Sequence, residues 1–246
     1  MKNTRTFNLS LVKNCGLLLL LVAGTVLSSC KKEEESEIVS EEEAAEAIVK
    51  SVEESSGGMT AQVEDMAVVM EQYNETVNCG VVENNSYSNA SANGATVSFN
   101  TNYNWQWVLN CTNLNVPSTF DFELSGSRTY DAPRMSSDDQ LTATVTATGL
   151  EPNAPSYVFN QTFLRSGSQQ SKIKNNGSFT SSISVVTSNL TVNKSSYMIE
   201  SGSATVTISG TSSTGDSFSF NGSIVFNGDG TATLTMPSGA QYTLSV

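Results

Sequence analysis

Beyond Gly94 apolar residues return at every second position as far as the C-terminus, and this periodicity restricts the chain to β structure more tightly than any other feature. Tyr103, Trp105, Trp107, Leu109 and Cys111 share one parity, with Asn102, Asn104, Gln106 and Asn110 on the other. Phe120, Phe122 and Leu124 alternate with Asp121 and Glu123. Leu141, Ala143, Val145 and Ala147 alternate with Thr142, Thr144, Thr146 and Thr148. Tyr157, Phe159 and Phe163 follow, then Phe179, Ile183 and Val185. Side chains of a strand point to opposite faces in turn, so such runs make an antiparallel sheet with one buried and one wet face.

The end of the chain is the clearest. Inward rows form at Ala204, Val206 and Ile208; at Phe218, Phe220, Gly222, Ile224 and Phe226; at Ala232, Leu234 and Met236; and at Tyr242, Leu244 and Val246. Gly215-Asp216, Asn227-Gly228-Asp229-Gly230 and Pro237-Ser238-Gly239 separate them, each a hairpin-length turn signal. Four strands so joined are a meander. With the earlier runs, nine to twelve strands are expected, and the fold class is mainly β: an antiparallel β-barrel or two-layer β-sandwich with a C-terminal meander.

Two amphipathic helices should precede this domain. Ile38, Ala45, Ile48, Val49 and Val52 form a stripe in residues 37–54, which Ser36 or Ser40 can cap and Ser55-Ser56-Gly57-Gly58 breaks. Met59, Val63, Met66, Met70, Tyr73 and Val77 recur at helical spacing up to a stop at Asn78-Cys79-Gly80. A methionine-rich face suits an adaptable groove or a core stripe, and core packing is the commoner use. Residues 84–94, rich in Asn and Ser, read as a polar loop.

At the N-terminus Lys2, Arg5 and Lys13 precede an apolar run of about 13 residues, which ends in Leu27-Ser28-Ser29-Cys30. The run is short of the roughly 18 to 20 residues a spanning helix needs. It resembles the type II signal peptide and lipobox of bacterial lipoproteins. That resemblance implies cleavage before Cys30 and lipidation of its sulfur and new amine, with acyl chains of the palmitate kind. Two or three such chains hold a protein on a membrane where one does not. Lys31-Lys32-Glu33-Glu34-Glu35 resembles the short export signal behind the lipidated Cys of Bacteroidota-type lipoproteins, which implies the outer membrane and its surface; as residues alone it is a solvated, charged tether. The expected organisation is therefore a signal peptide over 1–29, lipid and tether over 30–36, a two-helix segment over 37–80 and a β domain over 81–246. A transmembrane barrel fits poorly, because the outward parity is Thr, Ser and Asn where lipid demands an apolar band.

Net charge is −12 and the pI about 4.3, more acidic still once the basic leader is gone. Such a chain has no basic footprint for nucleic acid. With no His in it, imidazole catalysis and His-ligated metals are excluded. Cys15 leaves with the leader and Cys30 takes lipid, so Cys79 and Cys111 remain as a disulfide pair for an oxidising compartment. Nothing calls for a metal or cofactor: there is no Gly-x-Ser-x-Gly elbow and no phosphate loop.

Three sets of residues can be weighed as sites. Tyr103, Trp105 and Trp107 would make a stacking platform for a flat ligand if exposed, or core if they follow Leu109 and Cys111 inward. Asp138 and Asp139, placed in a loop after Ser136-Ser137, and Asp121 with Glu123 on one strand face, are carboxylate pairs of the kind glycosidases use; solvated charge is the plainer reading. Serine nucleophiles lack any partner. The sequence thus points to a non-enzymatic, lipid-anchored envelope protein whose β domain binds a ligand or envelope partner. A structural or adhesive surface component is the alternative, and a carboxylate-based glycan hydrolase the third.

Overall fold

A computed structural model describes residues 39–74, 78–173 and 177–246. The leader, Cys30, the tether and Val77 lie outside the described residues. Helix α1 spans Glu41–Val52 and α2 spans Met59–Asn74, with a short 3-10 turn at Glu54–Ser56 between them. Ten strands follow: β1 Val82–Ala90, β2 Ser98–Cys111, β3 Pro117–Asp131, β4 Met135–Thr148, β5 Ser156–Ser171, β6 Ser178–Asn193, β7 Ile199–Ser212, β8 Ser217–Phe226, β9 Thr231–Thr235 and β10 Gln241–Ser245. They form one antiparallel sheet in chain order, with β1 and β10 at its edges.

Helix α1 begins as its sequence dictates. Ser40 Oγ accepts from the Glu43 backbone N–H while the Glu43 carboxylate accepts from the Ser40 N–H, a reciprocal capping box that satisfies two otherwise orphaned donors. Glu41, Glu42 and Glu43 in the first turn and Lys50 in the last complement the helix dipole. Ala44, Ala45, Ile48 and Val52 face the core, and Met59, Val63, Met66 and Met70 of α2 do the same. The methionine stripe is thus core packing.

From β2 onward, the inward parity read from the sequence is the more buried one. Two local expectations are corrected. The stretch read as a polar loop overlaps most of β1, which pairs with β2 over nine consecutive positions although its own residues are mostly exposed. Asp138 and Asp139 belong to β4 and not to a loop: cross-strand pairing with Thr129 and Arg128 overrides the weak β tendency of Ser-Ser-Asp-Asp.

The sheet curls around α1. Adjacent strands lie about 4.8 Å apart, so β3 and β10 would be about 34 Å apart in a flat sheet. Yet Glu41 hydrogen-bonds Ser238, just before β10, while Glu42 pairs with Arg134, just after β3, at 2.5 Å. Neighbouring helix residues reach both places only if the sheet bends the two together. Glu53 Oε1 extends the bridge by accepting from the Ser245 N–H at 3.5 Å. Cys79, past the end of α2, is disulfide-bonded to Cys111 at the end of β2, with a Cα separation of 5.6 Å.

Candidate functional site

The inner face of the sheet is filled by the helices. Tyr103, Trp105 and Trp107 are only 4%, 5% and 3% exposed. They belong to the core, and the expectation of an open stacking platform is corrected accordingly: alternation puts them on the face that α2 covers. Gln62 of α2 donates to Tyr103 Oη, which in turn donates to the Gly57 carbonyl, each at 3.1 Å. At Gly57 the backbone is left-handed, with φ of 66°, and a Cβ there would stand 2.7 Å from Thr101 Oγ1. The turn between the helices therefore needs glycine twice over.

Beneath the end of α1 lies a buried polar cluster. Asp139 on β4 forms an ion pair with Arg165 Nε of β5 at 2.5 Å, and Arg128 of β3 stands 3.6 Å away on the other side. All three side chains are fully enclosed. Arg165 also donates to the Ala47 carbonyl at 3.1 Å, to Ser51 Oγ and to Ser137 Oγ at 2.7 Å. Arg128 donates to the carbonyls of Lys50 and Ser56 at 2.8 and 3.2 Å. Gln169 donates to Asp139 Oδ1 at 3.0 Å and accepts from Ser181 Oγ.

Two buried cations against one anion leave an excess positive charge, and two features offset it. The guanidiniums cap the carbonyl end of α1, where the dipole is negative. Both also lie over the Tyr130 ring, at 5.0 and 5.4 Å from its centre. Burial and the neighbouring Arg165 still hold Arg128 down at about 10. For Arg165, burial pulls downward but Tyr130 and Asp139 outweigh it, and the net shift is upward. Gly167 faces Asp139 from β5, and a Cβ there would come within 2.1 Å of the Asp138 carbonyl oxygen and 2.5 Å of Asp139 Oδ1.

This cluster was not singled out from the sequence, although its signal was present. The parity that sends Phe163, Leu141 and Leu124 inward also sends Arg165, Asp139 and Arg128 inward. Three ionisable residues on buried positions of consecutive strands imply pairing. Their contacts join helix to sheet; Asp139 is enclosed there while Asp138 faces solvent on the opposite side of the strand, so the fold does not bring the two carboxylates together.

The second cluster is acidic and nearer solvent. Burial, with Glu54 and Asp65 nearby, pushes Glu64 up to about 7. Burial also raises Asp65 to about 6, against the Tyr87 hydroxyl that hydrogen-bonds its carboxylate. Among the described residues no group of three or more His, Cys, Asp or Glu could hold a metal ion.

The outer face carries the accessible chemistry. Shallow depressions run across it, among them ones of about 630, 510 and 450 Å³. The first is bordered by Ser166, Ser168, Thr180, Ser182, Ser209 and Thr211. The second has Asp121, Glu123, Thr144, Thr146, Asn160 and Thr162, and the third adds Asn84, Asn104 and Gln106 beside Glu123. Asp121 accepts from Asn110 at 2.7 Å and from Thr146 at 2.8 Å, so it is tied into this surface. Such rows of hydroxyls, amides and two carboxylates offer hydrogen-bond donors and acceptors but no activated nucleophile.

Compared with known proteins, the chain matches no family model, no curated protein and no solved structure. Among the described residues no helix is long and apolar enough to cross a membrane, which bears on helices alone.

Proposed function

We propose that this is a non-enzymatic, lipid-anchored protein of the bacterial cell envelope, carried on the outer membrane by Cys30, whose β domain is a binding module using its outer face. The observation that carries the reading is the pairing of a lipobox-like leader with a domain whose solvent-accessible polar rows lie on the outer face of the sheet. Only nine residues separate Cys30 from Ser40, the cap of α1, so the domain would sit close to the surface that holds it. We read the curled sheet as an incomplete barrel with α1 inside it, reaching from the β3–β4 turn to the approach to β10. A filled interior of this kind suits an adaptor better than a carrier of lipid-like cargo.

The test is to express the full chain in a bacterium with a lipoprotein pathway and follow labelled palmitate. The wild-type chain should take up label and stay with the outer-membrane fraction. Cys30→Ser should abolish the label and release the protein. An unlabelled wild-type chain with a free Cys30 thiol or an uncleaved leader would overturn the reading.

A further inference from the structure

The two edges of the sheet differ. On one side β10 is five residues long, and α1 lies against it through Glu53 on the Ser245 N–H and Glu41 on Ser238. On the other, β1 runs for nine residues, about 30 Å, and among the described residues is paired on one side only. Natural edge strands are blunted by Lys, Pro, bulges or brevity. In β1 there is no Lys, no Pro and no register shift, and Glu83 is its one charge.

The phase of the ladder is set as well. Ser91 donates its N–H to the Phe99 carbonyl, and antiparallel pairs alternate between bonded and non-bonded. The backbone groups of Glu83, Asn85, Tyr87 and Asn89 therefore turn toward β2, and those of Val82, Asn84, Ser86, Ser88 and Ala90 turn to the free edge. Ser86 agrees with this phase, since its N–H donates to the neighbouring Asn85 side chain, at 2.8 Å, and not to β2.

We propose that β1 is a homodimerisation edge, pairing antiparallel with β1 of a second copy about a two-fold axis at Ser86. The register is self-complementary. With Ser86 opposite Ser86, Asn84 meets Ser88 and Val82 meets Ala90, so each residue with outward backbone groups faces another such residue. Glu83 faces Asn89 of the second copy and not a second carboxylate, and the two Glu83 side chains sit about 20 Å apart, beyond the screening length at physiological salt. Because β10 is short and covered, the assembly closes at two copies instead of extending as a fibre. This surface does not depend on the anchor, so it stands or falls separately from the location assigned to Cys30.

The experiment uses the full chain in detergent, with light scattering to count copies and mild oxidation to trap neighbours. A bonded antiparallel pair places Cα atoms about 5.5 Å apart, within disulfide reach. Ser86→Cys alone should therefore form a dimer through an 86–86 disulfide, identified by peptide mass so that no other cysteine is counted. Ser88→Cys should cross-link only when mixed with Asn84→Cys. Ser86→Pro removes a single outward N–H and leaves the β1–β2 ladder intact, so it should raise the dimer dissociation constant at least tenfold with an unchanged circular dichroism spectrum. If that variant unfolds, Ser86→Lys, which sets two cations face to face, provides the same readout. A monomeric wild-type chain, or a dimer that gives no 86–86 bond and persists in Ser86→Pro and Ser86→Lys, would overturn the proposal.

Discussion

Arg165 Nε lies 2.5 Å from Asp139 Oδ2, both side chains closed off from solvent, and the same guanidinium reaches across to the Ala47 carbonyl of α1. One carboxylate thereby positions the donor that fastens the helix to the sheet. The contact between the two layers is polar as well as apolar. Its removal has unequal consequences depending on which partner goes.

Asp139→Ala leaves two buried guanidiniums without a counter-ion and should lower stability by about 3–5 kcal/mol. Asp138→Asn, on the solvent face of the same strand, should stay within about 0.5 kcal/mol of wild type. Urea denaturation of the two variants checks the contrast; equal midpoints would mean that the cluster holds nothing together.

Gly167→Ala tests the same cluster from the other side. The added methyl must push against the Asp138 backbone and the Asp139 carboxylate, so a loss of about 1–3 kcal/mol is expected, the usual cost of overpacking. A silent substitution there would show that β4 and β5 can part without penalty.

The disulfide closes a loop with a sequence separation of 32. On the chain-entropy estimate, reducing it costs about 3–4 kcal/mol. Denaturation with and without a reductant should show this shift in wild type and none in the Cys79→Ser, Cys111→Ser double variant.

Replacing Ser40 by Ala removes the capping box, and about 1 kcal/mol is expected to go with it. Thermal unfolding should show the lower midpoint, and Ser40→Asp should restore most of it.

Glu64 and Asp65 make the stability pH-dependent. Both titrate higher in the folded protein than their ordinary values of 4.5 and 3.8, at about 7 and about 6. Between those limits the folded state holds more protons than the unfolded one, so this contribution is complete at acidic pH and is lost as pH rises through 6 and 7. Tm should therefore fall between pH 5 and pH 8 by more in wild type than in Glu64→Gln; parallel curves would place these carboxyls in open water.

Much of this protein is local and was legible in the residues themselves. The mainly β class, the buried parity from β2 onward and the hairpin turns of the C-terminal meander follow from spacing, because a pleated strand sorts its side chains by position alone; the Cys79–Cys111 pair is expected from the cysteine count, and of the two serines offered as a cap the structure uses Ser40. What the tertiary structure decided is everything that depends on which distant groups meet. Parity turned Arg128, Asp139 and Arg165 inward, but only the curl of the sheet brings them under the end of α1, where helix carbonyls accept from both cations. Asn85 and Ser86 looked like loop residues because strand formation there is driven by the ladder to β2 and not by their own preference. The exposed edge of β1 is likewise visible only once the order of all ten strands is known, since an unpaired backbone is a property of the sheet and of no single residue.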